Sequence, residues 1–77
     1  MRIRVKMVSI LQKYAPDERG EFSFAVEKGT NAKKVSELMR FPETLKYNMF
    51  VNERYCNPET VLQTGDKITF FPLMDGG

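Results

Sequence analysis

Lys67-Ile68-Thr69-Phe70-Phe71-Pro72 is the stretch whose reading decides the fold. Its side chains alternate, with Ile68 and Phe70 on one face and Thr69 and Phe71 on the other, which is the period of a strand. Pro72 lacks an N–H and cannot continue a ladder on both sides, so this reading ends the strand at Phe71. The first residues share the period: over residues 2–8, Ile3, Val5 and Met7 fall on one face, and Arg2, Arg4 and Lys6 on the other. The chain thus opens and closes on half-buried strands.

Between them the pattern changes twice. Ser9 is expected to cap a short helical turn carrying Ile10, Leu11 and Tyr14, which Ala15-Pro16 ends. After a polar turn over Asp17 to Gly20, residues 21–27 alternate again, with Phe22, Phe24 and Val26 inward. This predicts a second strand antiparallel to the first. Lys28-Gly29 turns the chain, and Thr30 is the expected N-cap of a helix over residues 31–40. Ala32, Val35, Leu38 and Met39 form its apolar stripe, and Phe41-Pro42 stops it.

A third strand follows at residues 47–51, then a turn at Asn52-Glu53 and a brief edge strand at Arg54-Tyr55-Cys56. Asn57-Pro58 breaks the chain, Val61-Leu62 is an apolar anchor, and Gly65-Asp66 turns into the closing strand. Strand, strand, helix, strand, short strand, strand is a β-grasp order. The expected class is α+β, a mixed sheet of four to five strands with one main crossover helix. The right-handed crossover rule puts the first and last strands parallel at the sheet centre.

At 77 residues the chain holds one domain, read as residues 1–71 with a flexible C-terminal tail at 72–77. A domain of this size buries only about 60% of its unfolded surface, so its core must be efficient. Cys56 is the only cysteine, so there is no disulfide framework, and a reducing compartment fits. The charged alternation at the N-terminus does not resemble a signal peptide, and no apolar run reaches membrane-span length. A cytoplasmic location, without membrane contact, is the expectation.

The missing residues exclude chemistry. There is no histidine, hence neither the usual general base nor the commonest metal ligand. One cysteine makes no zinc or iron–sulfur site, and Gly20, Gly29 and Gly65 are isolated turn residues rather than a phosphate loop. The net charge of +2 is small, and the basic residues near the start read as a solvated strand face rather than a nucleic-acid surface. The domain is not expected to be an enzyme, and no metal or bound cofactor is expected.

The tail is where reactivity remains. Fully extended, residues 72–77 reach about 20 Å, enough to enter a partner's buried site. Gly76 and Gly77 add no side-chain bulk and allow backbone angles closed to other residues. An α-carboxylate, with a pKa near about 3.5, is ionised at neutral pH and a poor electrophile. Adenylation on a partner enzyme would turn it into a mixed anhydride that a persulfide or thiol can attack.

Val51-Asn52, Leu62 with Gly65-Asp66 and Ile68, Phe70-Phe71-Pro72, and the terminal Gly76-Gly77 stand in a distinctive order, after an opening strand followed by Leu11 and Tyr14-Ala15. On these residues the whole chain resembles the ubiquitin-like sulfur carriers (MoaD/ThiS), nearest the small subunit of molybdopterin synthase, the MoaD type. The resemblance implies a cycle centred on Gly77. A ubiquitin-activating-like adenylyltransferase of the MoeB/ThiF type uses ATP and magnesium to adenylate it. A persulfide donor then leaves a thiocarboxylate, whose sulfur goes to an acceptor enzyme such as the large subunit of molybdopterin synthase. The carrier itself would be a non-catalytic co-substrate, monomeric when free.

Partner contacts are expected to be mainly apolar, through Phe71, Pro72, Leu73, Met74 and Asp75, with Phe50 as a further candidate. Phe71 either joins an exposed patch with Leu73 and Met74 or merely covers the back of the sheet. Asp75 either meets a basic groove or only solubilises the end. Cys56 is either a reactive thiol or, with no histidine to activate it, a small buried hydrophobe. Sulfur transfer in molybdenum- or tungsten-cofactor synthesis is the leading expectation. Transfer to thiamine or another thiolation pathway, isopeptide modification of lysines, and a plain interaction module are the alternatives.

Overall fold

The alternation at both ends of the chain becomes the centre of one five-stranded sheet. A computed structural model describes residues 1–16 and 19–73. The strands are β1 (Arg2–Met7), β2 (Glu21–Ala25), β3 (Tyr47–Val51), β4 (Arg54–Tyr55) and β5 (Lys67–Pro72), with a 3-10 helix at Ser9–Tyr14 and α1 at Ala32–Leu38. Their order is β2-β1-β5-β3-β4. β1 and β5 run parallel in the middle, Val5 opposite Ile68 and Met7 opposite Phe70. The other pairings, β1 with β2 and β3 with β4 and β5, are antiparallel. This is the expected β-grasp architecture.

One face of the sheet makes the core. Ile3, Val5, Met7, Ile68 and Phe70 are at most 1% exposed and pack with Leu11, Ala32, Val35 and Leu62. An aromatic cluster closes one end: Phe70 meets Phe41 at 5.3 Å and Tyr47 at 5.5 Å, and Tyr14 meets Phe41 edge-on at 5.3 Å. Phe41 is therefore more than the residue before a helix-stopping proline.

Several local readings shift by a residue or two. Ser9 does not cap the first helical turn: Val8 occupies the cap position, and Ser9 enters with φ +55°. Thr30 is not the cap of α1 either. Its hydroxyl donates to Glu27 O at 2.6 Å, and Asn31 caps instead, its Oδ1 accepting from Lys34 N at 2.8 Å. The helix ends at Leu38 rather than Arg40, which sits at φ +58°. Leu38 faces water, and Ser36 takes its expected place in the buried stripe with Ala32 and Val35. Ser36 avoids an orphaned hydroxyl by donating to Lys33 O at 2.7 Å.

Segment 57–62 stitches the helix start to the sheet. Ala32 N donates to Thr60 O at 2.9 Å and Lys33 N to Pro58 O at 2.8 Å, satisfying helix N–H groups that have no partner within the helix. Of the expected anchor pair only Leu62 is buried. Val61 is 51% exposed, because successive residues of an extended chain point opposite ways.

Two turns are locked together by Asn52. Both Asn52 and Glu53 have positive φ, the geometry of a tight hairpin turn between β3 and β4. The Asn52 side chain donates to Asp66 Oδ1 at 2.8 Å and accepts from Lys67 N at 3.0 Å. Asp66 Oδ2 accepts from Gln63 N at 2.7 Å. Asn52→Ala loses both side-chain bonds and puts alanine in a left-handed conformation, so it is expected to cost about 1–3 kcal/mol by chemical denaturation.

β5 also runs further than expected. Pro72 lies opposite Tyr47 within the strand, and Leu73 N donates to Lys46 O at 2.9 Å. Hydrogen-bonded pairs alternate along an antiparallel ladder, and Leu73 and Asn52 are among the residues that bond across it. Pro72 therefore turns its nitrogen away from β3, toward the side where β1 has already ended at Met7. The missing N–H costs nothing there. The strand expected to end at Phe71 thus ends at Pro72.

Candidate functional site

The outer face of the sheet carries the side chains that the alternation turns away from the core. From β1 these are Arg2, Arg4 and Lys6; from β5, Lys67, Thr69 and Phe71; from β3, Asn48 and Phe50. Tyr55 of β4 pairs with Phe50. The helices lie on the other side, so nothing in the described chain covers this face.

Its aromatic part is continuous. The Phe50 ring stands edge-on to Phe71 at 5.1 Å and to Tyr55 at 5.5 Å. Phe71 is 42% exposed and Tyr55 69% exposed. Phe71 thus joins an exposed patch and does not merely shield the sheet, while Thr69 beneath it is buried. An open hollow of about 480 Å³ lies on this face, lined by Lys6, Asn48, Phe50, Glu53, Lys67, Thr69 and Phe71.

Leu73, 48% exposed, follows Phe71 by the same alternation. Pro72 is on the opposite side, across from Tyr47. Of the expected contact residues, the structure brings Phe50 and Phe71 together and sets Leu73 beyond them. Met74, Asp75, Gly76 and Gly77 lie outside the described residues. Tyr55 belongs to the patch, although the sequence marked it only as part of an edge strand. The signal was available in the hairpin: a tight turn at Asn52-Glu53 puts Tyr55 directly opposite Phe50.

The polar part of the face is organised around one carboxylate. Arg4 Nη2 meets Glu21 Oε2 at 2.8 Å. That hydrogen bond holds the Glu21 carboxyl below the usual carboxylate range, helped by the charges of Arg4, Lys67 and Lys6. Arg2 Nη1 donates to Ser23 Oγ at 3.2 Å.

Cys56 is on the core side, half-buried against the hydrophobic cluster. Burial pushes its thiol up, against a smaller opposite effect of the Thr60 hydroxyl. It is therefore expected to react with iodoacetamide at neutral pH roughly severalfold more slowly than a free small-molecule thiol. Alkylation rates followed by intact mass check this. Among the described residues no cluster of histidine, cysteine or acidic side chains is placed to hold a metal ion. No helix among them is long and apolar enough to cross a membrane.

The fold has relatives among solved structures. A protein of Pyrococcus furiosus described as a candidate molybdopterin converting factor, subunit 1, superposes with TM-score 0.78 at 20% identity, covering 95% of this chain and 98% of that one. Small archaeal modifier protein 1 of Haloferax volcanii superposes with TM-score 0.77 at 13% identity, over 95% and 98% of the two chains. A complex of subunits 1 and 2 of molybdopterin-converting factor from Helicobacter pylori contains a chain matching with TM-score 0.63 at 22% identity, over 100% of both chains. At these identities the likeness is one of fold. No curated protein sequence matches the chain. The sequence itself matches the ThiS family model over residues 10–77, and on that match the chain belongs to the ThiS family.

Proposed function

We propose that the protein is a sulfur carrier whose Gly77 carboxylate is the reacting group, with Gly76 giving it access to partner active sites. The observation that carries the reading is the family match itself, which runs through Gly77. The fold supports it from the other side. β5 delivers the chain to the rim of the sheet, and Leu73 N is the last described backbone group bonded to it.

In the cycle, the carboxylate oxygen attacks the α-phosphorus of ATP on an adenylyltransferase that holds magnesium, and pyrophosphate leaves. A donor's persulfide sulfur attacks the acyl carbon and AMP leaves. A second thiol then cleaves the acyl disulfide, reducing it and freeing the Gly77 thiocarboxylate. The carrier contributes a bare, reachable carboxylate and a docking surface, and performs no catalysis of its own. The acceptor we favour is the molybdopterin pathway, with this chain as small subunit beside a large synthase subunit, as in the two-subunit Helicobacter pylori complex. Thiamine synthesis or another thiolation pathway would use the same carboxylate chemistry.

A second reading, attachment of Gly77 to lysines of other proteins, is favoured by the likeness to an archaeal modifier protein. Intact-mass analysis after incubation with ATP, magnesium, an activating enzyme and a persulfide donor separates the two. Replacement of one oxygen by sulfur supports the carrier. Isopeptide-linked adducts on other proteins support the modifier, and an unchanged mass with no adducts counts against both.

A further inference from the structure

β2 (Glu21–Ala25) is an open edge of the sheet: among the described residues its only strand neighbour is β1. Val26 N donates to Met1 O at 2.9 Å and Met1 N to Val26 O at 2.8 Å. At the other end of the pair, Met7 N donates to Gly20 O at 2.6 Å. Bonded pairs alternate along an antiparallel ladder, so between these ends the bonded pairs are Ile3 with Phe24 and Val5 with Phe22. The N–H and C=O groups of Glu21, Ser23 and Ala25 therefore point away from β1, out of the edge.

Nothing in the strand blunts that edge. Native sheets protect open edges with very short strands, proline, lysine or a bulge. β4, at the opposite edge, is two residues long. β2 has five residues, holds neither proline nor lysine, and pairs with β1 in an unbroken register. Its one charged side chain, Glu21, is paired with Arg4.

The edge is complementary to itself. In a second copy laid antiparallel with Ser23 opposite Ser23, Glu21 of each chain faces Ala25 of the other. All the outward N–H and C=O groups of these residues then find partners. A slip by two residues leaves some of them unused, and a slip by one sets them against groups already bonded to β1. Phe22 falls opposite Phe24 of the second copy in the closer, non-bonded kind of pair. Both rings are half-buried and already edge-on to each other at 6.1 Å, so the junction extends an existing aromatic contact. On the outer face, Glu21 comes beside Ala25 of the second copy. Arg2 is the residue paired with Ala25, and it reaches over that small side chain toward the incoming carboxylate.

We infer that β2 pairs antiparallel with β2 of a second copy, about a two-fold axis at Ser23, joining two sheets into one. The junction is a single strand about 17 Å long, so the dimer is weak, with a dissociation constant in the micromolar range or above. At lower concentrations the chain is the monomer expected from its sequence. β1 separates β2 from β5, so the strand that leads to the tail stays clear of the junction, and the inference does not rest on the sulfur-carrier reading.

Sedimentation of the whole chain between about 10 μM and about 1 mM is expected to show the mass rising toward that of a dimer. Over the same range the amides of Glu21, Ser23 and Ala25 should gain protection from hydrogen exchange, while those of Phe22 and Phe24 are protected throughout. A mixture of labelled and unlabelled chains should give an NMR contact between the α-protons of Phe22 and Phe24 in different copies. Ser23→Pro removes an N–H that the monomer does not use, and is expected to weaken the dimer at least about tenfold with a spectrum that remains dispersed. Ala25→Glu sets like charges opposite each other and should do the same, whereas Ser23→Thr should keep the dimer. A chain still monomeric at about 1 mM, a dimer whose contacts lie on another surface, or one that neither folded variant weakens would overturn the inference.

Discussion

Removal of Gly77 is expected to abolish sulfur loading outright while leaving the folded domain unchanged. Deleting one residue draws the carboxylate back by about 3.5 Å along an extended chain. A misplacement of about 1 Å at a reacting centre already costs on the order of 100-fold in rate, so a shift of this size leaves no measurable turnover. Gly77→Ala is milder. It keeps the carboxylate in reach but adds a methyl group and closes the left-handed backbone region, so a partial loss is expected. Neither change touches the sheet, whose last described tie to the tail is the bond from Leu73 N to Lys46 O. Intact mass after incubation with an activating enzyme, ATP, magnesium and a persulfide donor reads the loading, and an amide NMR spectrum reads the fold. Loading of the truncated chain at the full rate would remove Gly77 from the mechanism.

The second large effect concerns neighbouring phenylalanines with opposite fates. Phe70 is fully buried, in contact with the Phe41 and Tyr47 rings. Phe70→Ala empties the centre of the core and is expected to cost about 3–5 kcal/mol. The total stability of a domain this small is about 4–12 kcal/mol, so the variant loses at least about a quarter of it. Phe71→Ala, on the exposed face, should cost about 1 kcal/mol or less and instead weaken partner binding. Urea denaturation of both variants checks the contrast. Similar losses of stability from the two substitutions would mean that the outer face is part of the core.

Most of the sheet was readable because its strands alternate cleanly. Ile3, Val5 and Met7 against Arg4 and Lys6 admit one register, since a slip by one residue would bury the charges. The order of elements then left the parallel pairing of β1 with β5 as the natural closure. The helix boundaries were harder to read. Thr30 and Asn31 are both competent caps, and what separates them is the turn before the helix, where Thr30 is already bonded to Glu27 O. Leu38 looked like core by spacing, but the helix ends there, and Phe41 comes back from beyond Arg40 to fill the aromatic cluster.

The end of β5 shows the same limit from the other direction. Proline's missing N–H stops a ladder only where that N–H would have been used. Which edge Pro72 presents depends on the register with β3 and on where β1 stops, neither of which is a local property. Of the candidate site, alternation put Phe71 on the face opposite Ile68 and Phe70 but left open whether that face was exposed, and Leu73 was read as part of the tail. The hollow with Lys6 and Lys67 was not legible, because its lining comes from β1, β5, β3 and the turn after β3, and which side chains meet there depends on the register between those strands.

Gly77 as the group that carries sulfur is tested most directly on protein purified from the cells that make it. Tandem mass spectrometry of its C-terminal peptide identifies what the last residue holds. The expected result is a fraction of chains with one oxygen of Gly77 replaced by sulfur, lost when the activating enzyme is absent. A terminal carboxylate that never carries sulfur, under conditions where the activating enzyme and persulfide donor are both active, would contradict the account.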